Sequence, residues 1–172
     1  MYQHSQVLAS ITYLWYRNLI LAFIIGSGVL FTSNLVNAEE HKIDQVIDLN
    51  ALTPEEIYRF DPNYLWIKPG DTIRFLNSTG NHTVTSIKGM WPKGAPLVKI
   101  EHKSVANVTF EVPGIYGFKC KVHGRHGMYA LIIVGSPDSN INNLEFSNIG
   151  KLGRSIFKKL LEQMRKDMVE QK

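Results

Sequence analysis

Short runs of β-branched and aromatic residues alternate with turn signals over most of the chain, a rhythm that predicts an all-β sandwich. "IDQVIDLN" (43–50) reads as a first strand. "YLWI" and "TIRFLN" flank "KPGD", a Pro-Gly turn. In "SVANVTFEV", Ala106, Val108, Phe110 and Val112 alternate with Val105, Asn107, Thr109 and Glu111, so one face of that strand is buried. Pro113 and Gly114 turn the chain into "IYGFKC". The segment "MYALIIVG" is apolar almost throughout, as a strand buried on both faces must be. "TPEE" (53–56) has the form of a helix start but runs into the strand-like "IYRF", and a turn is expected there.

The two ends depart from this rhythm. From Ile149 onward, apolar residues fall at Leu152, Ile156, Leu160, Met164 and Met168, with Lys158, Lys159, Arg165 and Lys166 off that stripe. Such spacing marks an amphipathic helix, expected to dock on the sandwich rather than lie on a membrane. At the other end, "LILAFIIGSGVLF" (19–31) follows Arg17 and leads to Val36 and Ala38, small residues at the positions a leader peptidase requires. The apolar run is short for a membrane span. The expected organisation is a signal peptide over 1–38, a β-domain over 39–137 and a helical extension over 138–172. An uncleaved membrane anchor is the alternative at the N-terminus.

Charge narrows the partners. The chain has 172 residues and a net charge of +4, and residues 1–38 hold Arg17 with no acidic residue, so the remainder is one unit less positive. No basic run accompanies the excess, which argues against nucleic acid and for a protein partner with an acidic face. The single cysteine, Cys120, has no intramolecular partner for a disulfide in an oxidising compartment. An intermolecular link, a reactive group or a metal ligand remains.

The neighbours of Cys120 favour the metal. Cys120, His123 and Met128 form C-x2-H-x4-M, starting where one strand ends and finishing where the next begins. A tight loop can turn all three side chains toward one point. Thiolate and thioether are soft donors suited to copper(I), and imidazole suits both oxidation states of copper. Two histidines and a cysteine with a weak axial methionine make the blue-copper electron-transfer set. The second histidine must come from elsewhere, and His82 in "NSTGNHTVTSI" is the candidate, placed at a strand start after a polar turn. His126 is a good ligand type but is expected at the surface, where it tunes the site at most. His41 and His102 lack a ligand-like context.

Taken together, "KPGD", "NHTV", "IKGMWPKGA", "PGIYGFKC" and the C-x2-H-x4-M loop make this chain resemble the cupredoxins, and among them most closely the pseudoazurins. The resemblance covers most of residues 43–137. It implies a Greek-key β-sandwich holding one type 1 copper through His82, Cys120, His123 and Met128. It also implies a periplasmic carrier of single electrons, with a partner such as a copper nitrite reductase; c-type cytochromes are a further partner class expected to offer an acidic docking face, and a monomer is expected because nothing in the sequence demands an oligomer. Thr83 departs from the pattern, since members commonly carry Asn after the first histidine ligand. An apolar rim of Met90, Pro92, Val122 and Gly124 is expected around His123, with Lys88, Lys93, Lys119, Lys121 and Arg125 nearby.

Other classes explain less. A thiol enzyme with Cys120 as nucleophile leaves Met128 without a role. A copper-delivery protein is the nearer alternative, but two histidines beside a thiolate are not the methionine cluster such copper(I) sites favour. An adhesion module leaves the whole donor set unexplained.

Overall fold

The computed structural model describes residues 37–170, and of residues 79–81 the backbone alone. Residues 1–36 of the expected signal peptide lie outside the described residues. Among the described residues, no helix is long and apolar enough to cross a membrane.

Seven strands follow one another as β1 (Glu40–Ile47), β2 (Tyr58–Asp61), β3 (Tyr64–Ile67), β4 (Thr72–Ser86), β5 (Lys99–Thr109), β6 (Gly114–Lys119) and β7 (Tyr129–Val134). A single-turn helix, α1 (Pro54–Ile57), precedes β2, and a long one, α2 (Lys151–Glu170), closes the chain. The strands are ordered β2-β1-β4-β6-β7-β3, with β5 also paired to β4. β1 runs parallel to β4 and β3 parallel to β7, while the other pairs are antiparallel. This is the all-β sandwich predicted from the strand rhythm, with the Greek-key order that the resemblance implies.

Strand β4 joins the two layers. Its first half, Thr72–Leu76, lies between β1 and β5, whereas Thr85 and Ser86 pair with β6. Between Ser78 and Thr83 the register with β5 slips, as at a β-bulge. The sequence pattern places a turn ahead of His82; instead the polar "NSTGN" is absorbed into this irregular stretch of one long strand. Two further differences are local. β1 starts before Ile43 because Glu39 and Glu40 already find partners on Asp71 and Thr72. "TPEE" makes a helical turn rather than an open one, with proline early in the first turn and two glutamates beside it.

Period two along β6 and β7 feeds two cores. Tyr116, Phe118, Cys120, Met128, Ala130, Ile132 and Val134 pack inside the sandwich with Ile43, Phe75 and Val84. Ile115, Tyr129, Leu131 and Ile133 face the other way, onto Phe157, Leu160, Leu161 and Met164 of α2. The helix therefore docks on the sandwich, as expected, but its buried stripe is turned slightly. Gly153, Phe157 and Leu161 form its centre, and Leu152, Ile156 and Met168 lie at its margins. Gly153 permits the approach, since a β-carbon there would stand 2.7 Å from the Tyr129 ring. The connection before α2 is stitched down: Asn140 bonds both the N–H and the carbonyl of Ile115, and Asn148 donates to the carbonyl of Lys88.

Candidate metal centre

The loop joining β6 to β7 is folded by its own backbone. Cys120 N–H donates to the carbonyl of Met128, Gly124 N–H to that of Cys120, and Met128 N–H to that of His123. Gly127 closes the turn at φ 105°, a conformation that favours glycine, and a β-carbon there would press to 2.6 Å from Glu55 Cγ on α1. The alternation that buries Tyr116 and Phe118 also sends Cys120 inward, and Met128 enters the same core from β7.

His82 arrives from the bulged part of β4. Its donor nitrogens, Cys120 Sγ and those of His123 include one set of atoms all within 4.8 Å of one another. Cys120 Sγ lies 3.7 Å from His123 Nδ1, and the two imidazole centroids are 4.8 Å apart. These three side chains are positioned as a metal site. Both ring nitrogens of His82 are buried with no hydrogen-bond partner among the described residues, although the ring is only 6% exposed. Leaving buried polar atoms unpaired costs about 1–3 kcal/mol. A thiolate and two imidazoles are the donor chemistry copper prefers, and a metal would satisfy the orphaned nitrogen. The residues present therefore fit a bound copper ion.

Thr83 links the two ligand segments. Its hydroxyl donates to Cys120 Sγ across 3.9 Å and accepts from Lys121 N–H at 2.9 Å. Burial pushes the pKa of His82 down, with Asp44 opposing slightly. Burial does the same to His123, helped by His82, His126 and Arg125. Both rings are thereby held toward the neutral, metal-binding form.

Tyr58, at the start of β2, is a neighbour that spacing alone does not reveal. Its ring stacks on His123 with centroids 4.2 Å apart and an interplanar angle of 6°. The only local signal was the strand pattern of "IYRF", which says nothing about where the ring lands. His126 is half-buried rather than fully at the surface: it accepts from Arg125 Nε at 3.0 Å and tilts against Tyr58.

The expected rim needs correction. Met90 is fully buried, packed against Gly117 in the core beneath α2, and Pro92 and Gly124 are buried too. Of the four, Val122 alone is open, at 39%. Among the cationic residues, Lys88, Lys93, Lys121 and Arg125 are exposed. Lys121 is 2.6 Å from Glu101, which also pairs with Lys99, so its charge is partly compensated.

Comparison with known proteins agrees with this fold and with a copper-binding family. The family profile of copper-binding proteins of the plastocyanin/azurin type matches residues 48–135. Pseudoazurin of Methylorubrum extorquens is 40% identical over 105 residues, spanning 61% of this chain and 71% of its own. Pseudoazurin of Paracoccus pantotrophus is 32% identical over 95 residues, 55% of this chain and 66% of that one. The crystal structure of pseudoazurin from Methylobacterium extorquens superposes with a TM-score of 0.63 at 34% identity, covering 73% of this chain and 98% of the other. The chain belongs to the plastocyanin/azurin family of copper-binding proteins, and within it to the pseudoazurins.

Proposed function

We propose that this chain is a type 1 blue copper electron carrier, not an enzyme, in which His82, Cys120 and His123 hold the metal and Met128 is the weak axial ligand. The observation that carries this reading is the buried His82 ring, which brings a donor nitrogen to a thiol and a second imidazole and has no hydrogen-bond partner for either nitrogen among the described residues. Copper bound there would supply a one-electron couple. The protein's part is to keep the donors still. Cys120 and Met128 are packed among core side chains, the loop is cross-linked by its backbone, and Thr83 ties it to β4. Such a site resists rearrangement between oxidation states. His123, at 9% exposure the most open of the donor rings, gives electrons the shortest way out.

The organisation that goes with this reading is a leader over 1–38, a copper domain over 39–137 and a helical extension over 138–172, exported to the periplasm as a monomer. Exposed Lys88, Lys93 and Arg125 would steer a redox partner with an acidic docking face, such as a copper nitrite reductase or a c-type cytochrome. Voltammetry of the copper-loaded chain tests the carrier role. A reversible one-electron wave at unchanged copper content supports it. Loss of copper on each reduction cycle would point to delivery instead.

A further inference from the structure

Asp71 is an acidic side chain with an unusual set of partners. It is 1% exposed, yet no lysine or arginine side chain pairs with it among the described residues. Its Oδ2 accepts from Lys68 N–H at 2.8 Å and from His41 Nε2 at 3.1 Å, and its Oδ1 accepts from Glu39 N–H at 2.8 Å. Two backbone amides and one imidazole hold this carboxylate in its charged form, with no full cation of fixed charge beside it among the described residues. Glu39 is also where the chain joins the fold. Its backbone is held at both ends, the N–H by Asp71 and the carbonyl by Thr72 N–H, although its side chain is exposed like Asn37 and Ala38 before it.

From this we infer that removing the leader after Ala38 turns the Glu39–Asp71 hydrogen bond into a part-buried ion pair that locks β1 onto β4. The inference rests on the proposed leader. Hydrolysis of the Ala38–Glu39 amide consumes one water and leaves a carboxylate on Ala38. The amine left on Glu39 takes up a proton. The nitrogen that already points at Asp71 thereby becomes an ammonium with three donors, and charge-assisted bonds are about twice as strong as neutral ones.

The surroundings leave that pairing unchallenged. Besides His41 and Lys68, the charged groups at this end of β1 among the described residues include the Glu39 carboxylate, the Glu40–Arg74 pair and Lys42, which lies opposite Arg74, with exposed Glu111 following Phe110. On the β5 side, Phe110 N–H donates to the Asp71 carbonyl, and the paired residues Val108 and Thr109 carry no charge. Burial pushes the Asp71 carboxyl up, but bonds from Glu39, Lys68 and His41 outweigh it, so the group stays ionised below the usual carboxylate range. The ammonium's folded pKa is raised. Its contribution is complete below the unfolded α-amino value and lost as pH rises through the folded one.

Three leaderless copper-loaded chains test this: one beginning at Glu39, the same chain N-acetylated, and the first carrying Asp71→Asn. Both cores fall within residues 43–164, so leader removal leaves them whole. In the first chain the α-amino group should titrate about one unit or more above its ordinary range of about 7.7–8.0. Its Tm near neutral pH should exceed that of the acetylated chain by about 4 °C. That gap should close at alkaline pH, and Asp71→Asn should return the α-amino pKa to normal. An ordinary pKa, or equal melting of free and acetylated chains, would overturn the ion pair. Intact mass of the exported protein tests the leader separately: a start at Glu39 supports the processing step, and any other start overturns it whatever the ion-pair result.

Discussion

The phenol ring of Tyr58 lies flat on the imidazole of His123, 4.2 Å between centroids and 6° between planes. One face of the most open donor ring is thus covered by a residue from β2, far in sequence from the loop that carries His123. The stack keeps water from the ring and fixes its orientation, which matters because desolvation is the largest cause of the lowered His123 pKa.

Tyr58→Ala should therefore raise the His123 pKa toward the ordinary histidine range. In the metal-free wild type the ring should titrate below that range, so protonation competes with copper only in acid. In the variant that competition begins at higher pH. Histidine ring NMR across a pH series reads both values. An unmoved titration in Tyr58→Ala would show that the stack does not shield His123.

His82→Leu separates function from stability. The wild-type ring holds two buried polar atoms with no hydrogen-bond partner among the described residues, so a similar-sized apolar side chain should make the metal-free fold more stable by about 1–2 kcal/mol. The variant should also lose the stabilisation that copper gives the wild type. Urea unfolding with and without copper checks both signs. A destabilised apo variant would mean that His82 is a structural core residue.

Thr83→Val keeps the shape and removes the hydroxyl between Cys120 Sγ and Lys121 N–H. Stranding that N–H should cost about 1–2 kcal/mol. Losing a donor to the sulfur should strengthen thiolate donation and lower the reduction potential. Voltammetry should find the variant below the wild type; an equal or higher potential would remove Thr83 from the tuning of the site.

On α2, Gly153→Ala should break the usual helix rule. Glycine to alanine in a helix ordinarily gains about 1 kcal/mol. Here the new methyl meets the Tyr129 ring at 2.7 Å, and overpacking of this kind costs about 1–3 kcal/mol. Phe157→Ala, which empties the position against Tyr129, should cost about 3–5 kcal/mol. Thermal melts of both, beside Ser155→Ala on the exposed face, would expose an undocked helix if neither loses stability.

What could be foreseen in the sequence follows physical range. The alternation in 105–112, the doubly apolar "YALIIV" and the C-x2-H part of the loop are local patterns, and each lands where its spacing says: β5 alternates, β7 is buried throughout, and Cys120 and His123 come together. The path of "NSTGNH" is not legible locally, because a bulge and a turn use the same polar residues and only pairing with β5 tells them apart. Met90 lies in the core and not at the rim because it packs on Gly117 of β6, a contact across the fold that "KGMWPKG" does not encode. Tyr58 went unseen for the same reason: nothing in "IYRF" encodes a ring that will meet His123 across the fold.

The visible absorption spectrum of the copper(II)-loaded chain, recorded before and after reduction and again for Cys120→Ser, tests the central claim most directly. The account predicts intense blue or green absorption that disappears on reduction and is missing from the serine variant. A colourless protein that takes copper only as copper(I), or one that binds none while Cys120 alkylates freely, would contradict it.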